Sequence, residues 1–262
     1  MSLLDAAHAA MLADPEDDLA RLRYYRTLAD SDLCLMLAEE PQGDTLTPRV
    51  FALEDGPVVL VFDTEERLAG FSSVPVPYAV LPGRVVVARM AGQGIGLGVN
   101  LSAPEAAWLM APHAVDWLAG VLETAPAETR GRPVAIHSPG PLDPALSEAL
   151  AFALSGAGGL AAAAVLAQVA WADGARGLML AFVGADAAAE APLSRALAEA
   201  LAFSGFEGGA VDLAFLAADD ALVRSLMALG QPLTLPAPPA APPERAPPPP
   251  PGMNPDRPPR LR

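Results

Sequence analysis

The chain alternates between short apolar runs and segments whose apolar residues recur every three or four positions. In the first half, apolar runs of a strand's length are bounded by turn residues, which predicts β-strands at 33–37, 50–53, 58–62, 78–81, 95–101 and 108–110. Helical spacing predicts helices over 3–13, from 14 to 29, after 63, over 85–90, and from 115 to 122. This half therefore mixes helices and strands throughout.

Aspartates mark three of the predicted helix starts. Asp14 precedes Pro15, and proline suits the first helical position while aspartate accepts hydrogen bonds from free amide groups. Asp63 is followed three residues later by Glu66, the spacing of a capping box. Asp219 precedes a further apolar helix. We therefore expect these three aspartates to be the N-cap residues.

The second half repeats the alternation. Strands are expected at 134–136, 160–171, 178–183 and 211–216, with helices over 143–154, over 193–201 and after 219. The uncharged stretch 149–172 is long enough to cross a membrane, but it is rich in alanine and interrupted by glycine. We interpret it as a buried helix, a glycine turn and a strand. A helix over 161–170 remains an alternative, and the Asp173-Gly174 turn favours the strand.

Two segments lack this periodicity. Residues 124–132 are rich in Pro, Ala, Gly and Arg, which predicts a linker between domains 1–123 and 133–235. Beyond 235, thirteen of the last twenty-seven residues are proline. Such a segment cannot build a core, so we expect a disordered tail over 236–262 with polyproline II character.

Two motifs in the first half resemble a known family. The turn at 62–65, Phe-Asp-Thr-Glu, and the glycine row at 92–98 are similar to the amino-terminal domain of the SseB (enhanced serine sensitivity) proteins of bacteria, over residues 1–123. Residues 133–235 resemble the carboxy-terminal domain of that family more loosely, through the order of elements and the strand at 211–213. The resemblance implies two small α/β domains with mixed sheets. It links the protein to serine sensitivity, which is a phenotype and not a reaction.

Composition excludes several kinds of chemistry. The net charge of −15 argues against binding nucleic acid, which requires clustered cations. All sixteen cations are arginine, so lysine-based Schiff-base and phosphate-loop chemistry are absent. Cys34 is the single cysteine and cannot form an internal disulfide. Together with an amino-terminal segment unlike a secretory signal, this indicates a cytoplasmic protein without a membrane span.

The glycine row is the most distinctive candidate for a binding site. Its spacing, Gly-x-Gly-x-Gly-x-Gly, differs from the Gly-x-Gly-x-x-Gly of dinucleotide-binding turns. In an extended strand all four glycines would share one face and let another backbone approach closely. Contact with a partner or ligand is the second interpretation. The candidate binding residues are Gly92, Gln93, Gly94, Asn100, Asp63 and Thr64.

The remaining chemistry-bearing residues have simpler interpretations. Carboxylates at 63, 65 and 66 suit a helix start, where they meet the positive end of the dipole. The three histidines are isolated, and Cys34 lies in an apolar strand, where a buried, inert thiol is expected. No Gly-x-Ser-x-Gly sequence occurs. We therefore expect no catalytic residues, no metal and no cofactor.

These patterns favour a non-catalytic interaction or regulatory module, with a protein partner bound through the amino-terminal domain or the proline-rich tail. The alternative is a small-metabolite sensor or an enzyme whose site lies between the two domains. A deep apolar pocket with convergent polar groups would favour the alternative. A flat exposed apolar face would favour the interaction module.

Overall fold

The structure of the protein is a computed structural model. It describes residues 2–43, 45–54, 56–72, 74–123 and 131–238. Most of the predicted linker and nearly all of the predicted proline-rich tail lie outside these ranges. The described residues contain helices and two mixed sheets, which confirms the α/β class.

The first sheet, called the N-terminal sheet, has six strands and five associated helices. Its elements are α1 (Leu3–Ala13), α2 (Asp18–Asp30), β1 (Asp32–Met36), β2 (Val50–Leu53), β3 (Gly56–Phe62), α3 (Glu65–Phe71), β4 (Tyr78–Pro82), α4 (Gly83–Met90), β5 (Gly96–Val99), β6 (Trp108–Met110) and α5 (Pro112–Glu123). The strand order is β4-β1-β3-β5-β6, and β2 also pairs with β3. Only β3 and β5 run parallel; the other pairs are antiparallel.

The alternation of side chains along each strand divides the N-terminal sheet into two faces. Leu33 and Leu35 of β1 belong to a core with α1, α2, α4 and α5, which together cover the inner face. Cys34 and Met36 point to the opposite, outer face, where they form a smaller cluster with β3 and Leu68 of α3. Four helices therefore cover the inner face, and the seven-residue α3 packs on the outer one.

Two glycines let β5 pack closely in the middle of this sheet. A Cβ added at Gly96 would lie 2.5 Å from the carbonyl oxygen of Met110. A Cβ added at Gly98 would lie 2.6 Å from Cδ2 of Leu60. The expectation that glycine permits close approach is met at these two positions, because backbone and branched side chains occupy the space of a Cβ.

The other two glycines of the row do not belong to the strand. Gly92 and Gly94 have φ values of +73° and +68° and lie in the turn between α4 and β5. Their conformation is the left-handed one that glycine adopts most readily. The prediction that four glycines share one strand face was therefore wrong for half of the row.

The second sheet, called the C-terminal sheet, has five strands. Its elements are β7 (Ala135–His137), α6 (Pro144–Ser155), β8 (Ala163–Ala170), β9 (Arg176–Val183), α7 (Ala187–Ala202), β10 (Val211–Leu216), α8 (Ala221–Leu229) and β11 (Gln231–Leu233). The strand order is β10-β9-β8-β11, with β7 also paired to β8. Helices α6 and α7 pack on one face, and α8 packs on the other. The short strand β11 was not predicted.

The uncharged stretch 149–172 forms the end of α6, a turn and strand β8, as predicted. The helical alternative for 161–170 is excluded, because β8 pairs with β9 over eight residues. Within the described ranges, no helix combines the length and the apolar character that crossing a membrane requires.

Each of the three predicted capping aspartates is displaced. The N-cap residues are Asp17 for α2, Thr64 for α3 and Asp220 for α8, and each side chain accepts a main-chain hydrogen bond. In every case another capping residue follows the predicted one within three positions, and the helix begins at the later one. Asp14 instead follows α1 and accepts a hydrogen bond from the amide of Glu16, which delays the start of α2.

We expect Gly96→Ala to lower the free energy of unfolding by about 2 kcal/mol, because the new methyl group meets a backbone carbonyl that cannot easily move. Gly70→Ala is the matched control: Gly70 lies in α3, and a Cβ there has no neighbour within 4 Å. Alanine favours helices, so the control should be neutral or stabilising. Urea denaturation measures both, and equal stability of the two variants would contradict the close approach at β5.

Candidate functional site

Three of the predicted binding residues meet where the central strands β3 and β5 of the N-terminal sheet end. Asp63 and Thr64 follow β3, and Asn100 follows β5; the carboxyl ends of these parallel strands are adjacent. The amide of Asp63 donates to Oδ1 of Asn100 at 3.0 Å, and the amide of Asn100 donates to the carbonyl of Val61 at 2.9 Å. Asn100 has φ +52°, a conformation that asparagine tolerates better than most residues. The loops after the two strands are thus fixed to one another.

An arginine joins the end of β3 to the first helix. Nη1 of Arg67 lies 2.7 Å and 2.8 Å from the two carboxylate oxygens of Asp63. Nη2 of Arg67 lies 2.8 Å from Oδ1 of Asp5 in α1. The hydroxyl of Ser2 donates to Asp63 at 2.5 Å, and the amide of Ser2 donates to Asp5 at 2.8 Å. We call Ser2, Asp5, Asp63 and Arg67 the carboxylate cluster.

The electrostatics around Asp5 and Arg67 favour the charged states of these two groups. Burial alone would raise the pKa of Asp5, but hydrogen bonds from Ser2 and Arg67 and the charge of Arg67 lower it overall. Burial alone would lower the pKa of Arg67, but Asp63 and Asp5 raise it overall. A carboxylate held in this way is a weak proton acceptor. The geometry suits a structural link between α1, α3 and the end of β3.

A set of buried aromatic and polar groups packs behind the cluster. The rings of His8, Tyr24 and Trp108 lie with centroids 5.6 Å to 6.2 Å apart. Nδ1 of His8 is 3.2 Å from the carbonyl of Glu105, so that nitrogen carries the proton when the ring is neutral. Burial raises the pKa of Tyr24, which keeps its hydroxyl protonated. These residues form part of the inner core.

The other predicted binding residues lie at the opposite end of β5. The amide of Gly92 donates to the carboxylate of Asp116 in α5 at 2.8 Å, and the side-chain amide of Gln93 donates to the carbonyl of Arg89. Gly94 completes the turn that leads into the strand. The structure therefore separates Gly92, Gln93 and Gly94 from Asp63, Thr64 and Asn100. That any of the six contacts a partner or ligand stays a prediction.

Sequence reasoning missed Ser2, Asp5 and Arg67. Two local signals point to them. Ser2 and Asp5 have the spacing of a capping box, which the structure contains. Asp63 and Arg67 are four residues apart at a helix start, the spacing of an ion pair. The contact between Asp5 and Arg67 has no local signal, because 62 positions separate them in the sequence.

The outer face of the N-terminal sheet exposes apolar side chains around α3. The exposed fractions are 52% for Val80, 50% for Leu109, 42% for Leu53, 37% for Phe71 and 36% for Tyr78. Val80 and Tyr78 lie in β4 at one edge of the sheet, and Leu109 lies in β6 at the other. Cys34 lies between them but is buried, and burial raises the pKa of its thiol, with Glu65 contributing. This supports the expectation of an inert thiol.

An open crevice of about 490 Å³ lies where the two sheet regions meet, between α1, α2 and α6. Its charged side chains contact one another. Arg23 pairs with Glu148 at 2.9 Å, and Arg26 packs over the ring of Phe152 and lies 4.0 Å from Asp30. Arg23 is thus paired with a carboxylate, whereas Nε and Nη2 of Arg26 are buried and have no hydrogen-bond partner among the described residues.

The isolated histidines predicted no metal site. Among the residues that the structure describes, no three His, Cys, Asp or Glu side chains lie close enough together to hold a metal ion.

These features define an α/β protein with two mixed sheets, the first of which has four of its five helices on one face. Residues 4–115, which span nearly all of the N-terminal sheet and its helices, match the family model of the SseB protein N-terminal domain. The SseB-family resemblance of the amino-terminal segment is thereby confirmed. The match ends before the C-terminal sheet, so the looser resemblance of 133–235 stays a prediction. Neither the curated proteins nor the solved structures gave a match.

We expect Asp5→Asn to lower the free energy of unfolding by about 1–2 kcal/mol at pH 7, because asparagine keeps the acceptor for Ser2 but loses the charge facing Arg67. The pKa of Asp5 is lower in the folded than in the unfolded chain. Its contribution is therefore present above its ordinary pKa of 3.8 and is lost as the pH falls through the folded value. The difference between variant and wild type should shrink below pH 4.

Asp18→Asn is the matched control for this experiment. Asp18 also pairs with an arginine, Arg21, but its side chain is 76% exposed. Removing its charge should change stability by less than about 0.5 kcal/mol at any pH. Denaturant titrations at pH 3 and pH 7 measure both variants. A pH-independent loss in Asp5→Asn would show that the ion pair with Arg67 does not stabilise the fold.

Proposed function

We propose that the protein is a non-catalytic interaction or regulatory module that binds a protein partner through the outer face of its N-terminal sheet. The observation that carries the proposal is the unequal cover of the two faces. Four helices pack on the inner face, whereas the outer face has only α3 among the described residues and exposes Val80 and Leu109 at opposite edges. Flat apolar faces of this kind are typical of protein interfaces.

The condition of the carboxylate cluster supports a non-catalytic role. Both carboxylates bind the same guanidinium, and Asp63 also accepts from Ser2. A general base needs a free carboxylate with a raised pKa beside an open cleft. Here both carboxylates form ion pairs with Arg67 instead. The cluster therefore acts as a structural link that holds α1 and α3 to the end of β3.

The proposed organisation keeps 1–123 and 133–235 as separate domains joined by 124–132. In this arrangement a cytoplasmic protein presents its amino-terminal domain to the partner, and the proline-rich segment 236–262 offers a second contact for an aromatic groove. The acidic balance of the chain supports partners other than nucleic acid. The family link to serine sensitivity gives the physiological setting in which to look for the partner.

The alternative function is that of a small-metabolite sensor or an enzyme with a site between the domains. The crevice between α1, α2 and α6 supports it by position and by size, since ligand pockets commonly enclose 300 to 1,000 Å³. Its open shape and the pairing of Arg23 with Glu148 favour the interaction module instead. A ligand there would have to replace the contact of Arg23 with Glu148.

We expect Leu109→Glu to weaken binding of the partner at least tenfold, because it places a charge on the apolar outer face. The partner is first identified by affinity purification from the native cell with mass spectrometry, and its affinity for purified variants is then measured by calorimetry. Leu12→Glu is the matched control: Leu12 is 51% exposed, but it lies on α1 over the inner face. Equal affinity of both variants would contradict the proposed interface.

A thermal-shift screen separates the two functions. For an interaction module, chelators, divalent metals, NAD and ATP should leave the melting temperature unchanged, because a ligand raises it only by binding the folded state. A saturable rise of several degrees with any one compound would support the sensor or enzyme instead. Arg23→Ala then locates the site, since a ligand in the crevice would lose affinity and one bound elsewhere would not.

A further inference from the structure

Strand β4 is an edge strand, and its residues alternate between bonding to β1 and facing the free edge. It pairs with β1 on one side and ends the strand order of the sheet. The amide of Leu37 donates to the carbonyl of Pro77 at 2.9 Å, and the amide of Gly83 donates to the carbonyl of Ser31 at 2.8 Å. In an antiparallel ladder, hydrogen-bonded pairs alternate with pairs whose main-chain groups point away. Ala79 and Leu81 therefore bond to β1.

The intervening residues, Tyr78 and Val80, direct their amide and carbonyl groups toward the free edge. Two residues thus present two donors and two acceptors to an incoming chain. Prolines lie at both ends of this row of free main-chain groups. Pro77 precedes it, and Pro82 at the end of β4 has no amide to donate. The edge therefore has room for one short strand of about four residues. It does not suit an open-ended array.

The side chains of this edge are apolar. Val80 and Tyr78 lie opposite Cys34 and Met36, which places them on the outer face, where they are 52% and 36% exposed. No charged residue occurs in β4. Exposed edge strands usually carry charges that prevent pairing with other chains. The lack of such a charge in β4 leaves the edge competent for strand addition.

Acidic groups surround the edge. Asp32 lies opposite Pro82 on the same face. Glu65, at the start of α3, interacts with the hydroxyl of Tyr78 and raises its pKa. Two arginines of the adjoining helices are engaged elsewhere, Arg67 of α3 with Asp63 and Arg84 of α4 with Asp30 and Glu199. Neither Asp32 nor Glu65 forms an ion pair among the described residues, so both carboxylates can face an incoming cation.

We propose that β4 receives an extended segment of a partner protein, which adds as a further strand and carries lysine or arginine beside its apolar residues. The apolar side chains of the segment pack against Val80 and Tyr78, and its cations face Glu65 and Asp32. This rests on the proposed function and specifies its partner. A second copy of this chain is the poorer occupant, because two acidic edges would face one another.

The probe for this proposal is a synthetic peptide, acetyl-Lys-Thr-Val-Thr-Val-Thr-Lys-amide, whose valines and lysines share one strand face. It is added to the full-length protein in amide hydrogen exchange and NMR titration. In the free protein the amides of Ala79 and Leu81 should be protected, and those of Tyr78 and Val80 should exchange rapidly. Peptide binding should protect Tyr78 and Val80 at least tenfold. The same peptide with glutamate in place of lysine should bind at least tenfold more weakly. Equal binding of the two peptides, or protection of the β10 edge instead, would overturn the proposal.

Two controls separate strand addition from simple apolar contact. A peptide N-methylated at the residues that face β4 retains its side chains but cannot form the ladder, and should not bind. Val80→Pro removes an amide that does not bond to β1, whereas Val80→Ala retains it; both lose the valine side chain. Only the proline variant should fail to show the protection of the Tyr78 amide that peptide binding gives. Full binding of the N-methylated peptide would overturn the proposal even if Val80→Pro failed to fold.

The native partner distinguishes this proposal from the proposed function. If Leu109→Glu abolishes partner binding and Val80→Pro leaves it intact in a folded protein, the outer face is the interface but strand addition is wrong. If neither variant changes the affinity of the partner, both proposals fail. If the protein forms dimers by sedimentation that Val80→Pro disrupts, the occupant of the edge is a second copy, and the proposed basic segment is wrong.

Discussion

A six-stranded sheet has two faces to cover, and four of the five helices associated with the N-terminal sheet pack on one of them. The inner face of the N-terminal sheet packs against α1, α2, α4 and α5, and its core residues are almost fully buried. The outer face packs against α3, which has only seven residues. Burial of apolar area is the main favourable term in folding, so the inner face holds the sheet together. The outer face is then available for contacts with other molecules.

The carboxylate cluster links the first helix to the N-terminal sheet. Arg67 joins the first helix after β3 to Asp5 of α1, and so fixes the start of the chain against the carboxyl ends of β3 and β5. In parallel sheets this edge is the common place for a ligand. Here side chains of the protein itself occupy that position. The Phe-Asp-Thr-Glu motif at the end of β3 therefore has a structural role.

The hydrophobic pattern was enough to predict most helices and strands, because buried strands such as β3 and β8 leave clear apolar runs. It failed where the choice depended on neighbours in space. The helix starts moved to a later residue because adjacent positions both offered capping side chains. Strand β11 contains Pro232 and has only three residues, so its pairing with β8 leaves no periodic signal.

The candidate site divided in the same way. Asp63 and Asn100 could be associated from the sequence because they follow parallel strands, whereas Asp5 and Arg67 meet only through the tertiary fold. The glycine row looked uniform in sequence, yet it contains a turn and a strand with different backbone conformations. Identical residues at regular spacing do not reveal where one element ends and the next begins.

The position of Cys34 has a practical consequence. It is the single cysteine of the chain, and it lies in β1 beneath the outer face, in one cluster with Leu68 of α3. A thiol reagent can reach it only when the groups packed over it move or when the protein unfolds. The rate of its alkylation therefore reports local opening of the outer face, without any engineered label.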